Sequence, residues 1–394
     1  MIRLALKNVR HNPRRLILTA IAVALGVALV SATQVFTNAL SSGFNALFQD
    51  IYDSVDVVVE YDPDSDVTTP ADTSTFHDSD LEAVRAVDGV AQAEGSLSYA
   101  AGVLLEADGS VPGGGQGGPP SIIINWTGNE RLDGATLIDG AAPSAPGEVV
   151  IDVDSFASRG LSLGDTVGYA AESGVTDLTV VGTVRFGEDN NTQTATLIWA
   201  PLETVREISG LDGFDSIQVL VDEGASPEAV ADDINKVLPE GTRALTAQQK
   251  VQEQTESFDQ ALRYVDIFTL AFAIIALFVG AYIIVNTFRI IVTQRTRELG
   301  LLRAIGMKGS QVRSMILIEA ALVGVIAATV GILLGWVLAL VLTALIELCV
   351  GDLFGPITIP PNALAWGYGL GIVVTLVAAL APAMHAARIA PMEA

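Results

Sequence analysis

Sulfur and imidazole are nearly missing from this chain. Among 394 residues there is one cysteine, Cys349, so no disulfide can form within the chain. The three histidines, His11, His77 and His385, fall in separate segments and never at metal-ligand spacing. No cysteine cluster, nucleophile elbow or Gly-x-x-x-x-Gly-Lys-Ser/Thr loop occurs. The glycine-rich run Val111–Pro120, VPGGGQGGPP, lacks the following Lys-Ser/Thr and the strand-to-helix context of a phosphate loop, and reads as a flexible connection. These absences leave no candidate catalytic residue and no candidate metal ligands, and no enzymatic activity is expected of the chain itself.

Positive charge is scarce in the middle of the chain. Residues 41–262 hold 39 Asp and Glu against 8 Lys and Arg, a balance of −31. The remainder holds 6 acids and 13 bases, or +7, and the two together give the net −24. Such an acidic block has no basic stripe for phosphate, which excludes nucleic acid as a partner. Its paired acids read as a solvated surface rather than as glycosidase carboxylates. With no disulfide to hold it, a block of roughly 220 residues must rest on its own apolar core, and it is long enough to do so.

Apolar sequence is abundant. Half of the residues are hydrophobic, 17% are charged and the mean hydropathy is +0.48, which is the composition of a membrane protein. Residues 1–15 carry Arg3, Lys7 and Arg10 between Ile2, Leu6 and Val9 at helical spacing. They read as an amphipathic helix on the inner membrane surface, stopped by Pro13. The run after Arg15 is too long for a cleaved leader and reads as a retained first span, Leu16 to about Phe36, within a 16–53 segment. Further spans are expected at about Ile267–Phe288, Met315–Leu348 (the segment 315–348) and Ala363–Ala383 (363–383). An external connection at 349–362 and a C-terminal segment at 384–394 complete the order.

Between the first two spans, 54–245 reads as a mixed α/β domain. Strands are expected at Val55–Glu60, Ser121–Trp126, Glu148–Asp152, Leu178–Arg185 and Ser216–Val221, and helices at Asp152–Ser158 and Pro227–Val237. The fold class is therefore an α-helical integral membrane protein. It has four transmembrane helices and a large mixed α/β extracytoplasmic domain inserted between helices 1 and 2. Apolar spacing continues past the first span through Phe44, Leu47 and Ile51, and approaches the second (246–288) through Val251, Phe258 and Leu262. The two extensions predict a stalk; the plainer reading is that each packs on the external domain.

The segment 289–314 is short and basic. Arg295, Arg297, Arg303, Lys308 and Arg313 stand against Glu298, and the next span opens with Glu319. Positive loops lie on the cytoplasmic side, which puts both termini inside the plasma or inner membrane and 54–245 outside. Glu319 is close enough to the membrane interface for an ion pair with Arg313 or Arg289, and a role in coupling is the sharper alternative. Gly331 and Gly335 form a small-xxx-small step that lets another helix approach.

Six stretches carry a family resemblance. R-E-L-G-L-L-R-A-I-G before Glu319 resembles the C-terminal permease signature of FtsX/MacB-type ABC transporter permeases. N-V-R-H-N-P-R-R-L-I-L-T resembles their opening, and P-A-M-H-A-A-R-I-A-P-M-E-A their close. P-G-E-V-V-I-D and L-T-V-V-G-T-V, with R-G-L-S-L-G-D-T-V between them, resemble the MacB-like periplasmic core domain. The resemblance implies a permease subunit with no cofactor of its own, ATP and Mg being held by a cytoplasmic ABC ATPase dimer. It implies that 294–308 is a coupling helix, with Arg295, Arg297, Glu298 and Arg303 in polar contact and Gly300 and Gly306 allowing approach and a turn. Mechanotransmission would then export or extract a lipid, lipoprotein, peptide or drug. The alternative is a non-transporting regulator that activates a cell-wall hydrolase or senses an antibiotic. Further implied partners are a second permease copy or a related permease half, membrane lipids, and an extracytoplasmic protein. Relatives usually continue past the P-M-E-A that ends here at Ala394, so a longer parent with a second permease unit is the other arrangement.

Overall fold

The computed structural model describes residues 13–63, 65, 75–106, 109–112, 121–187, 190, 192, 195–350 and 354–388. The surface helix expected over 2–12, most of the Val111–Pro120 loop and the closing residues 389–394 lie outside them. The chain divides into two compact units. One holds residues 43–257 and 350–353, and the other holds residues 1–42, 258–349 and 354–394.

The first of these is the external unit. It opens on the end of α1 (Pro13–Tyr52) and continues with β1 (Val57–Tyr61), α2 (Asp78–Arg85), β2 (Val90–Ser96), β3 (Ser98–Leu104) and β4 (Ser121–Asn125). Next come α3 (Glu130–Asp133), β5 (Ala135–Gly140), β6 (Glu148–Asp152), α4 (Val153–Ser158), β7 (Thr166–Ala171) and β8 (Gly174–Phe186). It closes with β9 (Thr196–Ala200), α5 (Leu202–Ser209), β10 (Ser216–Val221), α6 (Pro227–Ile234), β11 (Thr242–Thr246) and the start of α7 (Ala247–Gln294).

Strands β11, β1, β10 and β2 form an antiparallel sheet in that order. Alternation sends Val57, Val59, Ile217 and Val219 to one face, where they bury against Leu81 and Val84 of α2 and Val230 and Ile234 of α6. Val58, Glu60, Ser216 and Gln218 point the other way. Seven strands form the second sheet in the order β5-β8-β6-β9-β4-β3-β7. The thirteen-residue β8 also pairs with β7, so six strands close into a ring and β5 is attached to its side. Closure removes free edges from a sheet that would otherwise expose them. Ile123, Ile151, Leu178, Ile198 and Tyr169 fill one face of this ring. Gly102 has no side chain because Tyr169 lies there: a Cβ would sit 2.2 Å from the phenol ring. The other face carries Val150, Val184, Phe186, Leu197 and Trp199, and Leu47 and Ile51 of α1 pack onto it.

Local signals explain the helix starts. Asp152 accepts from Ser155 N at the head of α4, and Ser226 from Ala229 N at the head of α6, whose first residue is Pro227.

The second unit holds four helices long and apolar enough to cross a membrane: the first part of α1, α7 with α8 (Thr296–Ala304) after it, α9 (Gly309–Val350) and α10 (Pro361–Arg388). Glycines set how closely they pack. Cβ atoms at Gly331 and Gly335 would lie 2.7 Å from Ala24 O and 2.6 Å from Ala28 O, so α9 meets the backbone of α1. Gly324 approaches Gly371 and Thr375 of α10 in the same way.

Candidate functional site

Two places gather functional character, one in each unit. The basic segment begins where α7 ends at Gln294. Arg295 leaves helical geometry at φ −101° and ψ 10°, and its N–H is shared between Ile291 O and Val292 O at 3.1 Å each. Helix α8 follows and stops before Gly306, whose φ of +105° suits glycine far better than any other residue. Lys308 N–H donates to Gln311 Oε1 at 2.9 Å and starts α9. The fold thus makes a one-helix detour between two long helices. Arg295 reaches across it to Glu319 of α9 at 3.8 Å, where the glutamate is only 3% exposed. Arg295 is therefore the partner, in place of the expected Arg313 or Arg289, because the break after Gln294 turns it back toward α9.

Arg297 and Glu298 are exposed and Gly300 is buried. Arg303 is half-buried, and Gly306 meets nothing within 4 Å of a notional Cβ. Charge and glycine pattern drew attention to those residues but missed two others. Leu301 is 58% exposed and Ile305 84% exposed. With Arg297 they step by four along α8 to its C-cap residue Ile305, so they share a stripe. The available signal was an apolar pair inside an otherwise charged, solvated segment.

The stalk residues separate. Leu47 and Ile51 are absorbed by the ring of the external unit, and Phe44 lies 6.2 Å from Phe48, ring to ring. Val251 lines an open groove of the external unit beside Gln49 and Tyr52. Phe258 and Leu262 are half-buried in the other unit. There α1 and α7 are joined by polar contacts: Ser41 Oγ donates to Asp259 at 2.6 Å and Thr37 Oγ1 to Asp266 at 3.3 Å.

The second place is a cavity of about 690 Å³ within the external unit. The four-stranded sheet turns its helix-free face to it, with Val58, Glu60, Ser216 and Gln218. Opposite stand Ile122, Ile124, Leu197 and Trp199 of the ring, and Phe44, Leu47 and Ile51 of α1. Glu60 is in ion pairs with Lys250 and with Arg243. Asp133 accepts from the N–H groups of Thr127 at 2.7 Å and Gly128 at 3.0 Å. Asp215 accepts from Ser98 N at 2.9 Å and Ser98 Oγ at 2.7 Å.

Burial pushes the Asp133 carboxyl up from its ordinary 3.8 to about 6, against those two backbone donors. A carboxyl that is harder to ionise in the fold than in the unfolded chain costs stability once charged. The cost is absent below about pH 4, grows through about pH 6, and then amounts to on the order of 3 kcal/mol. Wild type should therefore lose stability relative to Asp133→Asn as the pH rises through that window, and thermal melts of both from pH 4 to pH 7 check it. A constant difference would remove the assignment.

A family model described as MacB-like periplasmic core domain matches residues 16–237, and one described as FtsX-like permease C-terminal matches 270–391. The chain belongs to the FtsX/MacB permease family. Among curated relatives, the macrolide export ATP-binding/permease protein MacB 1 of Yersinia pestis biovar Antiqua is 29% identical, over 62% of this chain and 37% of its own length. An ABC transporter permease protein of Mycobacterium tuberculosis is 28% identical over 62% of this chain and 29% of its own. A probable syringafactin export ATP-binding/permease protein of Pseudomonas syringae is 29% identical over 50% and 30%. The chain thus spans about a third of the length of these relatives. Among solved structures, the periplasmic region of MacB from Actinobacillus actinomycetemcomitans covers 52% of this chain and 95% of its own, with 14% identity and a TM-score of 0.39. As an FtsX/MacB family member, the chain is a membrane protein with an inserted α/β domain, and α8 falls inside the FtsX-like match.

Proposed function

We propose that this chain is the permease part of an ABC transporter, driven by a separate cytoplasmic ATPase that docks on 289–314. The observation that carries the reading is the exposed stripe of Arg297, Leu301 and Ile305 along a short helix and its C-cap, anchored between α7 and α9. A helix with two bare apolar side chains beside charged ones is suited to a protein groove, with apolar anchors at i and i+4. Nothing in these 394 residues can cradle a nucleotide's phosphates in a Walker loop, so ATP and Mg belong to the partner. The basic loop sets the orientation: loop and termini inside, and the acidic block outside. The names of two relatives refer to export, and export or extraction by ATP-driven movement of the external unit is the activity we assign.

Affinity purification of the chain from native membranes tests this. Wild type is expected to bring down an ATPase whose hydrolysis is measurable in the eluate, and Arg297→Glu should lose most of it. If wild type brings down none while the membrane complex stays intact, the powered-permease reading fails. Loss of export on deletion then separates transport from regulation of a wall hydrolase, which would alter wall hydrolysis and leave export unchanged.

A further inference from the structure

We propose that the cavity of the external unit is a binding site for a small organic cation with an apolar body. Its volume of about 690 Å³ falls within the range of small-molecule sites. Its walls differ in kind. The ring and α1 supply Ile122, Ile124, Leu197 and Leu47, with the buried Phe186 and Trp199 packed behind them. The sheet opposite supplies Ser96, Ser216 and Gln218. A wholly apolar occupant would leave those polar groups unpaired, and a wholly polar one would wet the ring.

Charge selects the sign of the occupant. Three carboxylates and one ammonium line the cavity: Glu60, Asp133 and Asp215 against Lys250. Lys250 and Arg243 already neutralise Glu60. Among the described residues neither Asp133 nor Asp215 is in an ion pair; Asp133 takes its hydrogen bonds from backbone N–H groups and the Thr127 hydroxyl, and Asp215 from a backbone N–H and serine hydroxyls. Burial raises both carboxyls above their ordinary value, so each is costly to charge in the fold. A ligand cation in the cavity beside these carboxylates relieves that cost. An anion would meet two uncompensated carboxylates.

The occupant would touch more than the strands. Phe44, Leu47, Ile51 and Tyr52 are on α1, and Lys250 is on α7, the helices that continue as the first and second candidate spans. Binding is a property of this chain and does not depend on the ATPase.

The test uses the full chain in nanodiscs of zwitterionic lipid, with protein-free discs subtracted. Tetraphenylphosphonium and tetraphenylborate have one shape and opposite charge, and equilibrium dialysis measures each. Wild type is expected to bind the phosphonium saturably, at about one per chain, and the borate without saturation. Asp215→Asn should weaken phosphonium binding about tenfold, as expected for one charge contact in a half-buried site. Gln218→Trp keeps every carboxylate, fills the space and should abolish saturable binding, with thermal melting confirming the fold. Equal uptake of the two ions, uptake no greater than in empty discs, or full phosphonium binding by folded Gln218→Trp would each overturn the proposal.

Discussion

With Leu301→Asp and Ile305→Asp combined, the partner ATPase is expected to fall away from this chain. The two side chains are 58% and 84% exposed, Leu301 on α8 and Ile305 at its C-cap, and exposed apolar residues four apart there present a continuous edge. At an interface such anchors carry most of the binding energy, typically 1–2 kcal/mol or more each. Replacing them with carboxylates also places charge in a surface that must dry on docking. Together the changes should weaken association by about a hundredfold or more. Co-purification and ATP hydrolysis in the eluate measure this, and Val175→Asp is the control. Val175 is 63% exposed in the external unit, so it matches the exposure and chemistry of the change without touching the loop. A double variant that still brings down a full complement of ATPase would remove α8 as the docking surface.

Gly335→Leu should break the packing of α9 on α1. A Cβ there would lie 2.6 Å from Ala28 O, 2.8 Å from Ser31 Cβ and 2.9 Å from Ala32 N. Two of those three atoms are backbone, so a rotamer change in α1 cannot make room. Helix α1 must move away, which strips the close contacts at Gly331 one turn earlier as well. Overpacking of this kind costs about 1–3 kcal/mol, and a side chain as large as leucine belongs at the upper end. Gly369→Leu is the matched control, because a Cβ at Gly369 meets nothing within 4 Å. Thermal denaturation in detergent is expected to show a clear loss for Gly335→Leu and none for Gly369→Leu. Equal behaviour of the two would mean that the glycine step has no packing role.

Long regularities were the legible part of the chain. Glu148–Asp152 and Ser216–Val221 form strands with the expected bounds, since each is a short apolar run with clear turns around it. Pro227 after Ser226 marked α6 correctly. Strands β2, β3, β5, β7, β9 and β11 were missed. Several carry alanine or glycine where a strand signal needs bulk, as in VAQAEGS and SYAAGVL. Their strand state comes from neighbours across the ring and sheet. In the loop the charged residues were legible and Leu301 and Ile305 were not, because apolar residues near a membrane segment read as part of it until the backbone shows which way they point.

The sequence by itself determined what depends on local pattern and bulk charge. Four runs of about 20 or more apolar residues identify candidate spans, because hydrocarbon thickness sets a length that any window of sequence can meet. The separation of −31 from +7 marked an external block and a basic membrane part. The motifs by themselves placed the family. Tertiary structure alone decided contacts between residues far apart in the chain. Arg295 rather than Arg289 or Arg313 meets Glu319 because the helix breaks at one residue. Leu47 and Ile51 join the ring because closure of six strands leaves it an apolar outer face. Asp133 and Asp215 lie some eighty positions apart and share a cavity only because β10 and the turn before β5 converge on it. Pattern in a sequence reports on neighbours along the chain, whereas these pairings are set by how sheets close and helices cross.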